Sequence, residues 1–261
     1  MNIVLVSHPS KHRQRKYIQF NDYKIAIDFD RFKDLDKNED PYIWGGKFIY
    51  SFCKANHAIT EKLEKLNPIY VFLFKKDGVY KIDTIIQSET IKKWPDRNSR
   101  KEPNMMKFFR EIDSRLDVND IIKYHLPNFE KDEKNEHNNV TLRSCIGDSS
   151  GSYLPLEKMS NQFESFSFPK EYSEVIDSLL RVEKNEGYYI ANEFSPRITK
   201  DKTKKTNFYN VVNYIKTHVI FNDKLYKLTA PKIDTIYRTI KEDGRKTSSE
   251  NLSINISLKE L

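Results

Sequence analysis

The sequence predicts an α+β fold. A mixed, twisted sheet or a small barrel would carry flanking helices, with a more helical C-terminal part. Three observations predict it. Residues 69–74 and 79–86 are β-forming runs on either side of Asp77-Gly78, a strong hairpin signal. Residues 23–29 alternate, with Tyr23, Ile25, Ile27 and Phe29 on one face. Residues 104–116, 170–182 and 207–218 carry apolar stripes at helical spacing.

In chain order, residues 2–7 form a short apolar strand, and 17–20 with 23–29 form a hairpin around Asn21-Asp22. Residues 31–42 are charged loop. A helix over 55–66, with Glu61 and Lys65 one turn apart, ends at Asn67-Pro68. Residues 140–145 read as a strand and 147–152 as a turn or flexible loop. Residues 155–169 read as irregular and Phe-rich. A basic loop spans 199–206, and 219–221 read as a short strand. Thr229-Ala230-Pro231 opens a helix, and 252–258 alternate as a last strand. Residues 1–160 thus form a β-rich domain. Residues 161–261 form a mainly helical region, helix-turn-helix-like, separate or packed with the first as one unit.

Composition excludes several functions. Only seven glycines occur, where average usage would give roughly eighteen. No GxGxxG, P-loop, GxSxG or HExxH is present, so those nucleotide and hydrolase sites have no support. Two cysteines without a CxxC argue against zinc and for a reducing, cytoplasmic location. The basic start after Met1–Val6 is the reverse of a signal peptide, and no run is long enough to span a membrane. No cofactor is expected.

The formal charge of +7 favours an anionic partner, DNA rather than RNA. Lys11, Arg13, Arg15 and Lys16 form the densest basic run and would neutralise phosphates. Trp44, Phe48 and Phe52 interleave with Lys47 and Lys54, the mixture that stacks on an exposed or flipped base. Asp28 or Asn56 would read its polar edge. The plainer reading of most of these aromatics is core. Asp28, Asp30, Asp83 and Glu89 are the carboxylates that a Mg²⁺-dependent endonuclease would use. The plainer reading of Asp28 and Asp30 is a solvated strand face.

Residues 40–155 resemble the nucleotide-modification-associated domains of phages and bacteria. The resemblance rests on Asp40-Pro41-Tyr42-Ile43-Trp44-Gly45, on Phe52-Cys53-Lys54-Ala55, on the strand pair at 69–86, and on Tyr153-Leu154-Pro155. Ala55 stands where that pattern has Pro, and Asn67-Pro68 stands where it has Gly-Asp. The layout is also similar to PUA, EVE and YTH-type barrels. Both resemblances imply a nucleic-acid-binding protein that recognises or handles a modified nucleotide. Two other classes stand beside it: a metal-dependent endonuclease of restriction or phage defence, and a protein-interaction or inhibitor module.

Overall fold

A computed structural model describes residues 1–8, 15–20, 23–28, 42–44, 47–51, 62–63, 65–93, 102–112, 143–160, 162–180, 190–233 and 251–254. The strands begin with β1 (Ile3–His8), β2 (Arg15–Phe20), β3 (Tyr23–Asp28), β4 (Tyr42–Trp44), β5 (Lys47–Ser51), β6 (Ile69–Lys76) and β7 (Val79–Lys93). They continue with β8 (Arg143–Gly147), β9 (Tyr153–Met159), β10 (Gln162–Ser165), β11 (Ile190–Ala191), β12 (Tyr226–Thr229) and β13 (Asn251–Ile254). The helices are α1 (Glu102–Ile112), α2 (Tyr172–Leu179), α3 (Pro196–Thr199) and α4 (Lys202–Ile215), the last running into a π-helical turn, Lys216–Ile220.

The fold is mixed α+β. The main sheet runs β11-β1-β6-β7-β9-β10-β3-β2-β13, and among the described residues this path is open rather than closed into a barrel. Three of its contacts are parallel: β1 with β6, β10 with β3, and β13 with β2. The hairpins form where turn chemistry asks for them. Asp77 and Gly78 both take positive φ, 53° and 77°, which a two-residue turn between β6 and β7 requires. Phe20 faces Tyr23 across the β2–β3 hairpin.

β6 is buried on both faces over Ile69–Phe74, as a strand covered on two sides must be. Ile69, Val71 and Leu73 join Leu5, Ile82 and Ile85 in one core cluster. Ile176 and Leu179 of α2, and Phe208, Val211, Val212 and Ile215 of α4, close that cluster. Tyr70, Phe72 and Phe74 lie buried on the opposite face.

β7 is the junction of the sheet. Its first half pairs with β6 and its second half with β8, and β8 leads on to β5 and β4. Two register shifts bend it. Asp83 is left out of the β6 ladder and Glu89 out of the β8 ladder.

Several expectations change. Residues 155–169 are regular for most of their length, because β9 and β10 form an antiparallel hairpin within the sheet. The expected boundary at 160/161 therefore falls between two paired strands. Residues 199–206 are not loop: Asp201 accepts a hydrogen bond from the Lys204 amide at 3.0 Å and so starts α4 at Lys202. Residues 219–221 close a π-turn instead of forming a strand. The stretch between the two C-terminal helices holds β12, which pairs with β9, so a strand replaces the turn of a helix-turn-helix. Most of the expected 55–66 helix, the loop at 31–42 and the turn Asn21-Asp22 lie outside the described residues.

Candidate nucleic-acid interface

The residues expected to bind nucleic acid do not come together as one described surface. Lys11, Arg13, Phe52, Lys54 and Asn56 lie outside the described residues. Arg15 and Lys16 open β2, where Arg15 is opposite Asp28 of β3 in register. Trp44 ends β4 opposite Lys47 in register.

One member of the set is corrected, and a second is paired with an acid. Phe48 is completely buried, so its ring is core and presents no face to a base. Lys47 is half-buried, and its ammonium lies 2.5 Å from the Glu89 carboxylate. It also acts electrostatically on Asp148, so it sits between two acids.

The nuclease carboxylates fare similarly. Asp30 lies outside the described residues. Asp83 is buried and accepts a hydrogen bond from the Thr84 hydroxyl at 2.7 Å, while Glu89 is held by Lys47. Among the described residues no group of three His, Cys, Asp or Glu side chains could hold a metal ion. The Cys145 thiol is fully buried, and that burial pushes its pKa up to about 12, so it is no nucleophile.

The loop between β8 and β9 is ordered by its own chemistry. The Asp148 carboxylate accepts hydrogen bonds from the Ser150 and Gly151 amides and from the Ser150 hydroxyl. Those bonds hold its pKa below the usual carboxylate value, with Lys47 adding to the effect. Ser152 closes the loop by accepting from the Gln87 amide at 3.1 Å. The turn is thus an internal brace, and its polar groups are spent on the fold.

A different surface emerges on α4. Its inner stripe, Phe208, Val211, Val212 and Ile215, is buried. Tyr214 anchors one flank, with its ring 4.5 Å from Tyr172 and 4.3 Å from His218. The outer stripe is Lys202, Lys205, Tyr209, Asn213 and Lys216, spaced by three or four residues, so these side chains follow one face. From Lys202 to Asn222 there is no acidic residue. The chain holds 38 acidic residues in 261, so a stretch of that length would ordinarily hold about three.

Compared with known proteins, the chain matches no family model, no curated protein and no solved structure.

The start of α4 is unusually charged for a helix. Lys202, Lys204 and Lys205 crowd its first turn beside the capping acid Asp201, where the helix dipole favours acids, while Lys216 and His218 sit at the C-terminal end, where it favours cations. Each such lysine opposes the dipole by about 0.3–1 kcal/mol at most. Local stability gives no reason for the arrangement. A departure of this kind from helix chemistry is expected where a surface serves a partner.

The sequence signal for this face was present in the lysines at 200–205, which read as a solvated loop. What hid it was the assignment of those residues to a loop. Without the helix, Tyr209 and Asn213 do not line up with them. No helix among the described residues is long and apolar enough to cross a membrane.

Proposed function

We propose that this protein binds nucleic acid through the outward face of α4. The observation that carries this reading is the acid-free segment from Lys202 to Asn222, helical as far as Ile220, with Lys202 and Lys205 exposed. A polyanion is the partner that such a face fits, because each phosphate contact releases condensed counterions. The net charge of +7 works in the same direction at longer range. DNA in the cytoplasm is the form of the reading that the sequence favours.

Handling of a modified nucleotide is the narrower part of this proposal. It is supported by the resemblance over residues 40–155, and it rests on Trp44 beside Gly45-Gly46. With Phe48 in the core and Lys47 paired with Glu89, Trp44 is the residue on which that part chiefly rests.

The test is fluorescence anisotropy with labelled DNA and RNA, plain and base-modified, across a salt series with and without Mg²⁺. Reversing Lys202 and Lys205 to Glu should weaken binding to every substrate and flatten the salt dependence by about two units of slope. Unchanged binding by that double variant would overturn the reading. W44A protein that still distinguishes modified from plain DNA would remove the base-handling part alone. Cleavage that needs Mg²⁺ would favour the nuclease instead.

A further inference from the structure

We infer that the face proposed above for nucleic acid is a stacking platform for single strands, with Tyr209 and Phe221 as its two rings. This rests on that reading and goes further, by naming the strand form and the residues that contact bases.

The argument begins with the π-turn. In an α-helix the residue beneath Lys216 would come three or four positions later. Here the Phe221 amide instead donates to the Lys216 carbonyl at 2.9 Å, five residues back. The wider turn carries the stripe from Lys216 on to Phe221. Lys202, Lys205, Tyr209, Asn213, Lys216 and Phe221 thus continue along one side of the segment.

The turn is fixed at its far end. Lys227 donates to the Ile220 carbonyl at 3.0 Å, and the Asn222 amide group donates to the His218 carbonyl at 3.0 Å. Val219 remains buried within the π-turn, so the extra residue does not loosen the inner face. The turn closes the helical segment at its C-terminal end, a place where π-turns recur.

The two rings are exposed where apolar rings ordinarily are not. Tyr209 is 41% and Phe221 65% accessible, two of the five exposed large hydrophobic side chains among the described residues. Aromatic rings on a segment that carries lysines and no acid from Lys202 to Asn222, with Asp223 the first carboxylate beyond Phe221, match what an unpaired nucleotide offers: a π-face and a phosphate. A duplex hides its base faces and has no use for these rings. Tyr209 and Phe221 lie roughly 17 Å apart along the axis, a span that several nucleotides of an extended strand can cover. Asn213 between them can donate to and accept from a base edge.

The experiment compares oligo(dT), oligo(U) and a blunt DNA duplex as anisotropy probes for wild type, Y209A, F221A and the K202E/K205E pair. Both rings are exposed, so the alanine variants should keep the fold, and thermal melts verify this. Wild type should prefer single strands. Each alanine variant should lose about tenfold or more of single-strand affinity while changing duplex binding little. Y209F and F221W should restore the preference, and ultraviolet crosslinking should attach oligo(dT) at Tyr209 or Phe221. The ratio of oligo(dT) to oligo(U) affinity separates DNA from RNA as the source of the strand. Weakened binding by K202E/K205E with no effect of the ring variants would overturn the platform and leave the nucleic-acid reading standing. Unchanged binding by all variants would overturn both.

Discussion

The Lys47 ammonium and the Glu89 carboxylate lie 2.5 Å apart, joining β5 to β7 past the end of β8. Sequence reasoning placed these two residues in rival functions, one on a phosphate and the other on a metal ion. The structure makes them partners. The Glu89 side chain is nearly half exposed, so the pair stabilises the fold by about 0–1 kcal/mol. Replacing Lys47 with Met should therefore move the urea midpoint little and leave DNA affinity unchanged. A loss of affinity as large as that of the α4 charge reversals would return Lys47 to the binding surface.

Asp148 gives the fold an acid-sensitive brace. Its folded pKa is held below the usual 3.8 by the Ser150 and Gly151 donors, so its stabilising effect is complete above the unfolded carboxylate pKa. That effect is lost as pH falls through the depressed folded value. The stability gap between wild type and D148N should be widest near neutral pH and narrow below about pH 4. Urea melts across that range check it. A gap that widens on acidification would contradict the assignment.

Gly147 and Gly151 flank the same loop but differ in what a methyl group would meet. At Gly147 it would lie 2.6 Å from the Ser152 hydroxyl and 3.2 Å from the Phe48 carbonyl oxygen, in a buried site. At Gly151 it would meet chiefly the Gln87 side chain, which is exposed and can swing aside. G147A should cost about 1–3 kcal/mol, as overpacking does, and G151A clearly less. Chemical denaturation of the two variants decides the order.

Phe208 and Tyr209 are adjacent on α4, about 100° apart around its axis, with their rings edge to face at 5.8 Å. Phe208 belongs to the core cluster, while Tyr209 is largely exposed. F208A should lose about 3–5 kcal/mol of stability, and Y209A should stay within about 0.5 kcal/mol of wild type. Equal losses at both positions would mean that the helix is rotated from the orientation described.

Much of the fold was legible because local chemistry and global structure agree. Asp77-Gly78 fixes a turn that alternation on both sides already requires. β1 and the β2–β3 pair are equally plain. The β9–β10 hairpin was hidden because Leu154, Pro155 and Leu156 form an unbroken buried run with no alternation, as befits an inner strand. β12 was hidden by its length of four residues, and its partner is about seventy residues away in sequence. The candidate interface was legible only in its charge. Lys202 through Lys205 stood out, but the local cap signal of Asp201 was absorbed into the expected basic loop, and the π-turn before Phe221 is held in part by Lys227 of β12. Phe48 shows the opposite limit: an aromatic in a basic neighbourhood is still most often core.

The parallel pairing of β2 with β13 sets Tyr17 beside Asn251. A ribosome making about 5–20 residues per second needs roughly ten to fifty seconds between those two strands. Through that interval the β2–β3 hairpin has been made but its outer neighbour has not. The sheet therefore cannot finish in the order in which it is synthesised, and its early edge stays open to wrong pairing until the last strand arrives.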